Sequence, residues 1–281
     1  MGAVKIKMDI HGEKILILDF GSQYTQLIAR RVREAKVYSE IFPYNFSIEK
    51  IKKFRPKGII LSGSPASVYD KKALIVNKEV FGLGIPVLGI CYGMQLMTHL
   101  LGGVVAKAQK REYGRAELHI DKSIDLFHGY KNWISGEGQR HGATTVWMSH
   151  GDRIEDMPSG FTPIAHTDNS PIAAMANIYK GLYGLQFHPE VVHTPYGRNI
   201  LENFVYRICG CSPTWTMKAF VDYSVGHIKE VVGKEKVICA LSGGVDSSVT
   251  AALVNRAIGK QLTCVFVNNG LLRKNEAKSV L

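Results

Sequence analysis

Residues 85–93 have the sequence Ile-Pro-Val-Leu-Gly-Ile-Cys-Tyr-Gly, and residues 94–101 continue with Met-Gln-Leu-Met-Thr-His-Leu-Leu. The apolar run before Gly89 predicts a buried strand, and the residues after Gly93 predict a helix. A cysteine flanked by glycines between strand and helix is the thiol form of the nucleophile elbow, where larger flanking side chains would clash. There the helix N-terminus favours the thiolate and offers N–H groups to an oxyanion. The sequence thus predicts an α/β fold with Cys91 as nucleophile; a buried structural cysteine is the alternative.

A second motif, Gln-Phe-His-Pro-Glu at residues 186–190, follows the strand-like run at residues 181–185. A thiol nucleophile needs a base, and the base needs a group that fixes its tautomer. We expect His188 to take the thiol proton and Glu190 to hold the other ring nitrogen. A histidine in this motif could instead be a surface or packing residue, so the hypothesis depends on both motifs lying at strand ends.

A third motif, Ser-Gly-Gly-Val-Asp-Ser-Ser, follows another apolar run and precedes a helical pattern. Its glycines let backbone N–H groups approach phosphate oxygens, its serines add hydroxyl donors, and the helix N-terminus favours an anion. It lacks the Gly-Lys-Ser/Thr ending of a Walker loop, and an ordinary glycine-rich turn is the alternative. The predicted phosphate-binding residues are Ser242, Gly243, Gly244, Val245, Asp246, Ser247 and Ser248.

The composition is that of a globular protein of about two domains: 281 residues, 46% hydrophobic and 21% charged. No apolar run approaches the ~20 residues of a membrane span. Residues 1–13 contain no apolar signal-peptide region. Five cysteines, an odd number, argue against a disulfide framework. We therefore expect a cytoplasmic protein without a membrane partner.

The net charge of +11 raises the alternative of a nucleic-acid partner. The basic residues are spread along the chain, however, with no Arg-rich arm and no patch of interleaved aromatic residues. We expect a solvated basic surface and no nucleic-acid partner. The positive electrostatic potential of such a surface favours anionic substrates such as nucleotides.

Apolar runs recur between helical patterns in the first part of the chain, which predicts an α/β domain with a mostly parallel central sheet. Residues 115–178 predict shorter strands that add antiparallel pieces, and residues 131–144 predict an exposed loop. A linker rich in structure breakers is predicted at residues 210–216. The predicted domains are residues 14–209 and residues 217–281.

The second domain is predicted to begin with a helix at residues 217–232 and to continue as one βαβ unit. The predicted elements of that unit are a strand at residues 237–241, a helix at residues 247–258 and a strand at residues 262–267. We expect Cys239 and Cys264 to be core residues of these strands. A parallel sheet needs both of its faces covered, and so small a segment with only two strands can barely provide that cover. We therefore expect this domain to be truncated.

The motifs together resemble two protein families. Residues 89–95, 148–152 and 186–191 resemble the class I (triad) glutamine amidotransferases. Residues 240–248 resemble the phosphate loop of the ATP pyrophosphatases. Enzymes that carry both parts in this order are also similar at residues 18–24, 111–117 and 266–273. The resemblance, from about Lys14 to Leu281, implies a class I glutamine amidotransferase-like layered domain followed by an incomplete Rossmann-like βαβ unit.

The resemblance implies glutamine hydrolysis by Cys91, His188 and Glu190. It also implies an oxyanion hole made by the N–H groups of Tyr92 and Gly63. The family usually has a glycine at the position of Ser64. The residues implied to hold glutamine are Gln95, Ser149, His150, Gly151 and Asp152, while His150 and His193 are weaker candidates for the base.

For the second domain the resemblance implies binding of ATP, with Mg²⁺ held in part by Asp246. Ammonia from the first domain would then aminate xanthosine monophosphate (XMP) to GMP in purine nucleotide biosynthesis. Such enzymes are homodimers through a region beyond the equivalent of Leu281, and they usually have Asp where this chain has Asn268. Two alternatives remain open: a stand-alone glutaminase subunit that serves a separate synthetase, and a non-catalytic glutamine-binding module.

Overall fold

The computed structural model describes residues 11–130, 143–268, 270, 275 and 277–278. Most of the predicted loop at residues 131–144 lies outside the described residues. The described chain forms two compact units, one from His11 to Thr214 and one from Trp215 onward. In this part of the chain no helix is both long and apolar enough to cross a bilayer.

The first unit contains nine strands and four α-helices among its described residues. The strands are β1 Lys14–Asp19, β2 Tyr38–Pro43, β3 Gly58–Leu61, β4 Val87–Ile90, β5 Val104–Ile120, β6 Ala143–Asp156, β7 Thr162–His166, β8 Ala174–Asn177 and β9 Leu182–Leu185. The helices are α1 Thr25–Glu34, α2 Ile48–Phe54, α3 Tyr92–Leu100 and α4 Gly197–Glu202, which continues as a π-helical turn, Asn203–Ile208.

These strands form one sheet in the order β2-β1-β3-β4-β9-β8-β7-β5-β6. The pairs from β2 to β9 are parallel, and those from β9 to β6 are antiparallel. Strand β1 is buried on both faces: Ile15 and Ile17 join one core cluster, and Leu16 and Leu18 join the other. Successive side chains of a strand point to opposite faces, so this apolar run places the sheet between two cores.

The glycines around Cys91 create the strand-to-helix turn that the sequence predicted. Cys91 has a φ of +50° between β4 and α3. A Cβ atom on Gly93 would lie 2.5 Å from the carbonyl oxygen of Leu61, and one on Gly89 would lie 2.6 Å from the Gly93 backbone. Both contacts are with backbone or with a neighbouring strand, so neither can be relieved by a small side-chain movement.

The prediction of short strands within residues 115–178 was wrong for the outer part of the sheet. Strands β5 and β6 have 17 and 14 residues and form a long antiparallel ribbon. Buried and exposed residues alternate along much of β6. Antiparallel strands with one face in water carry polar residues at alternate positions. Their apolar runs are therefore shorter than the strands themselves.

The second unit contains α5 Met217–Val232, β10 Val237–Leu241, α6 Val245–Ile258 and β11 Leu262–Phe266. Strands β10 and β11 are parallel, as predicted, and α6 begins two residues earlier than predicted. The prediction of core cysteines was wrong, because Cys239 is half-buried and Cys264 is exposed. Among the described residues, the faces of this two-stranded sheet are only partly covered.

We expect Gly93→Ala to lower the free energy of unfolding by about 2–3 kcal/mol, because the added methyl group overlaps the β3 backbone. Gly82→Ala is the matched control, since a Cβ atom there would meet nothing within 4 Å. This control should change stability by less than about 0.5 kcal/mol. Urea unfolding curves measure both values, and equal midpoints for the two variants would contradict the packing argument.

Candidate active site

A cavity of about 720 Å³ lies at the carboxyl ends of β1, β3 and β4. Its lining comes from the segments that follow these strands, at residues 21–24 and 64–67, from residues 149–152 of β6, and from Cys91 and His188. Ligands of open α/β sheets bind at this end of the strands. The fold therefore brings the predicted nucleophile, base and glutamine-site segments to one cavity.

Cys91, His188 and Glu190 form a buried triad at this cavity. His188 Nδ1 lies 2.7 Å from Glu190 Oε1, and all three residues are at most 4% exposed. Burial lowers the pKa of His188, but the neighbouring Cys91 sulfur and the hydrogen-bonded Glu190 carboxylate raise it by more. The result is a pKa of about 10. An imidazolium held between these two groups can deliver a proton to a leaving group beside the sulfur.

The backbone around His188 is fixed by neighbours that the sequence analysis did not identify. Its N–H donates to the Trp147 carbonyl at 3.0 Å, and its carbonyl accepts from Thr194 Oγ1 at 2.7 Å. The Tyr24 ring packs edge-on against the imidazole, with ring centroids 5.0 Å apart. Arg31 Nε donates to the Glu190 carbonyl at 3.0 Å. These contacts come from distant parts of the chain, so no local pattern marks them.

The two predicted oxyanion donors, Tyr92 and Gly63, are both neighbours of triad residues. Tyr92 is the first residue of α3, and first-turn N–H groups have no acceptor within their own helix. Gly63 follows β3, and a Cβ atom there would lie 3.2 Å from His188 Cε1. Ser62 Oγ donates to the Gly63 carbonyl at 3.0 Å, and Ser64 Oγ accepts from the Ala66 N–H at 3.3 Å in a local turn.

Some of the predicted glutamine-site residues are already engaged by protein groups. Gln95, Ser149, His150, Gly151 and Asp152 all border the cavity. The Gln95 amide donates to the Asp152 carbonyl at 2.9 Å, and the Asp152 carboxylate accepts from Ser67 Oγ at 2.5 Å. The Cys91 thiol lies 3.5 Å from the Ser149 carbonyl. The side chain of Asp152 therefore closes one border of the cavity by reaching the segment after β3.

Glu112 is a buried carboxylate that the sequence analysis did not select. Its oxygens accept from Thr167 Oγ1 at 3.0 Å and from Ser170 Oγ at 2.6 Å, and they lie 3.2 Å from His150 Nε2. Burial raises the pKa of Glu112, but the adjacent His150 imidazole and the hydrogen bonds from Ser170 and Thr167 outweigh it and lower the pKa to about 2. A single Glu in a polar strand gives no sequence signal of such burial.

In the second unit, the predicted phosphate loop connects β10 to the N-terminus of α6. Gly243 has a φ of +80°, and Ser247 Oγ accepts from the Ser242 N–H at 3.2 Å and donates to the Gly244 carbonyl at 3.0 Å. Asp246 is exposed in the first turn of α6. The described residues contain no group of three His, Cys, Asp or Glu side chains suited to a metal ion.

Comparison with known families matches the unit that holds the triad. The family model described as glutamine amidotransferase class-I matches residues 16–208. The chain belongs to this family. A second family model, described as the tRNA methyl transferase HUP domain, matches residues 235–279, which include the predicted phosphate loop.

Relatives of this amidotransferase chain include enzymes that are named GMP synthase [glutamine-hydrolyzing]. That of Acetivibrio thermocellus is 58% identical over 271 residues, which are 96% of this chain and 51% of the relative. That of Caldanaerobacter subterraneus is 57% identical over 274 residues, which are 98% of this chain and 52% of the relative. The chain thus spans about half the length of the curated relatives it matches.

The amidotransferase fold is also found in a crystal structure from Thermoplasma acidophilum, described as one subunit of a candidate GMP synthase. The TM-score is 0.63 at 30% sequence identity, and the match covers 70% of this chain and 94% of that protein. The layered α/β fold with a large central sheet is therefore that of the family.

The raised pKa of His188 predicts a pH dependence of stability. The folded pKa of about 10 exceeds the ordinary 6.5. The contribution of His188 to the free energy of unfolding is therefore fully present below pH 6.5 and is lost as the pH rises toward 10. Removal of the thiol in Cys91→Ala should weaken this shift, so the variant should lose less Tm than the parent between about pH 6.5 and about pH 9.5, by a few degrees.

Thermal unfolding at both pH values measures the effect, with Cys264→Ala as the control because that thiol is exposed. The control should follow the parent protein. Identical pH slopes for the parent and Cys91→Ala would show that the thiol does not set the charge of His188.

Proposed function

We propose that the His11–Thr214 unit hydrolyses glutamine to glutamate and ammonia through a thioester on Cys91. The observation that carries this proposal is the Cys91 sulfur at a strand-to-helix elbow, at the same cavity as the imidazole of His188, which Glu190 holds at 2.7 Å. A nucleophile, a base and an orienting carboxylate in this order are the parts that acyl transfer requires.

In the proposed first step, the Cys91 thiolate attacks the side-chain amide carbon of glutamine. The carbonyl oxygen becomes an oxyanion, which the N–H groups of Tyr92 and Gly63 stabilise, and such donors are worth about 3–4 kcal/mol each in the transition state. The proton on His188 passes to the leaving nitrogen. The C–N bond then breaks, ammonia leaves, and a thioester remains on the sulfur.

In the second step, neutral His188 takes a proton from water as the water oxygen attacks the thioester carbon. The C–S bond breaks, glutamate leaves, and the thiolate and imidazolium are restored. Throughout the cycle Glu190 holds Nδ1, so that Nε2 of the ring remains directed toward the reacting atoms. Glu190 thereby orients the base and stabilises its charge without taking the proton itself.

We further propose that the ammonia is used to convert XMP to GMP. The support is the name of the relatives, GMP synthase [glutamine-hydrolyzing], together with the phosphate loop in the second unit. When bound, ATP supplies the adenylyl group that activates the 2-oxo oxygen of XMP. This reaction belongs to purine nucleotide biosynthesis.

The residues of the second unit fit a nucleotide phosphate. Gly243 has a left-handed φ, the first-turn N–H groups of α6 have no acceptor within their own helix, and Ser242 and Ser248 add hydroxyl groups. Asp246 would hold Mg²⁺ together with the phosphates, because Mg²⁺ in such sites often takes only one or two carboxylates. The residues that we assign to ATP are Ser242, Gly243, Gly244, Val245, Asp246, Ser247 and Ser248.

The proposed partners are therefore the small molecules glutamine, ATP and XMP, and the proposed location is the cytoplasm. Homodimerisation, through a region beyond these residues, is part of the same proposal, as is the lack of a nucleic-acid or membrane partner. The phosphate loop favours a two-activity protein over a stand-alone glutaminase subunit. The assembled triad favours an enzyme over a non-catalytic glutamine-binding module.

The nucleophile is tested by Cys91→Ala, which should lower ammonia release from glutamine by at least about a thousandfold, because the covalent route is lost. An electrophilic glutamine analogue should label Cys91 in the parent protein, as measured by mass spectrometry of the peptides. Cys264→Ala serves as the control and should keep parental activity. Labelling of Cys209 in place of Cys91 would refute the assignment.

The phosphate loop is tested by Gly243→Val, because a β-branched residue is strained at a φ of +80°. We expect the affinity for MgATP, measured by calorimetry on the whole chain, to fall at least about tenfold. Gly226→Ala is the control, since a Cβ atom there would meet nothing within 4 Å. Unchanged affinity for MgATP in Gly243→Val would show that ATP does not bind at this loop.

A further inference from the structure

A continuous line of buried polar groups connects the β5–β6 ribbon to the nucleophile. It consists of the side chains of Glu112, His150, Gln95 and Gln186 and the backbone carbonyl of residue 152. These side chains are at most 7% exposed. The hydrolysis steps described above use none of the four, yet a buried polar side chain is costly unless it is fully hydrogen-bonded.

The orientation of the Gln186 amide follows from that of Gln95. The Asp152 carbonyl can only accept, so the group that Gln95 presents to it at 2.9 Å must be the Nε2 amide. The same Nε2 can only donate, so Gln186 presents Oε1 to it at 3.4 Å. Gln186 Nε2 is then left facing the Cys91 sulfur, at 3.7 Å.

His150 holds the other side of the same carbonyl. Its Nδ1 lies 2.9 Å from the Asp152 carbonyl oxygen and its Nε2 lies 3.2 Å from Glu112 Oε2. Both neighbours are acceptors, and Glu112 also accepts from Thr167 and Ser170. The imidazole therefore lies between the carboxylate on the ribbon and the carbonyl that Gln95 contacts.

We propose that Gln186 is a further catalytic residue, which donates an amide N–H to the Cys91 thiolate. We also propose that Glu112 and His150 are positioning residues, which fix the orientation of that amide through the Asp152 carbonyl and Gln95. A hydrogen bond to the charged form of a group stabilises that form. Gln186 therefore increases the thiolate fraction of Cys91. This inference rests on the proposed function only where it assigns the thiolate to glutamine hydrolysis.

Titratable groups lie at both ends of this line. Glu112 and His150 lie at the ribbon end, and His188, which Glu190 contacts, lies at the sulfur. The reactivity of the thiol consequently depends on His188 as well as on Gln186. Comparison of variants that all retain His188 isolates the contribution of the amide.

The decisive experiment measures alkylation of Cys91 by iodoacetamide as a function of pH, with mass spectrometry to identify the cysteine. Gln186→Met keeps the length of the side chain but removes its amide. We expect the pH midpoint of alkylation to rise by about one pH unit and kcat for glutamine to fall about tenfold or more. Asn177→Leu is the control, because Asn177 is also a buried amide. It pairs with Leu182, at the end of β9 that lies away from Gln186.

Gln186→Glu is the second variant, and it also covers the case in which Gln186→Met does not fold. It keeps an acceptor for Gln95 but places an oxygen at the sulfur, so its midpoint should rise further than that of Gln186→Met. A folded Gln186 variant with the parental alkylation curve would overturn the catalytic role. Because alkylation needs no glutamine, a rise in midpoint without glutaminase activity would refute only the proposed function.

The positioning residues are tested by Glu112→Gln, with Glu117→Gln as the control, since Glu117 is exposed on the same strand. We expect a smaller upward shift of the midpoint for Glu112→Gln and no shift for the control. A parental alkylation curve for Glu112→Gln would overturn the positioning role.

Discussion

The left-handed backbone of Cys91 is the constraint on which the site depends. A cysteine at a φ of +50° is strained, and such strain persists only where the surrounding packing determines the conformation. Here the packing is the contact of Gly93 with the backbone of β3 and of Gly89 with the first turn of α3. The same contact that raises the sulfur above the sheet also aligns α3 with its neighbouring strand. Stability and reactivity are consequently set by one turn.

The sequence predicted the parts of this structure that depend on local patterns. The elbow, the parallel half of the sheet and the βαβ unit were predicted correctly, because each has an apolar run followed by residues that only a turn or a helix start favours. The gathering of Cys91 and His188 could be inferred for a related reason. Both follow the ends of parallel strands, and these ends meet at one edge of a sheet.

The outer part of the sheet and the support of the site could not be predicted in this way. Strands β5 and β6 carry polar residues on one face, so only their buried positions produce an apolar signal. Glu112 and Thr194 act through partners on other elements, and a single sequence does not show which distant polar residues meet. The cysteines of the second unit were misplaced because an apolar strand was equated with a covered one.

The register between β4 and β9 has a consequence for how this fold can vary. Ile90 is paired with Leu185, and the Cys91 N–H donates to the Leu185 carbonyl at 2.7 Å. The nucleophile and the segment that carries the base are therefore joined by adjacent strands, although β5 to β8 intervene along the chain. The entropy of closing a loop grows only slowly with its length. The connection between β5 and β6 can accordingly gain or lose residues over evolution while the distance from sulfur to imidazole stays the same.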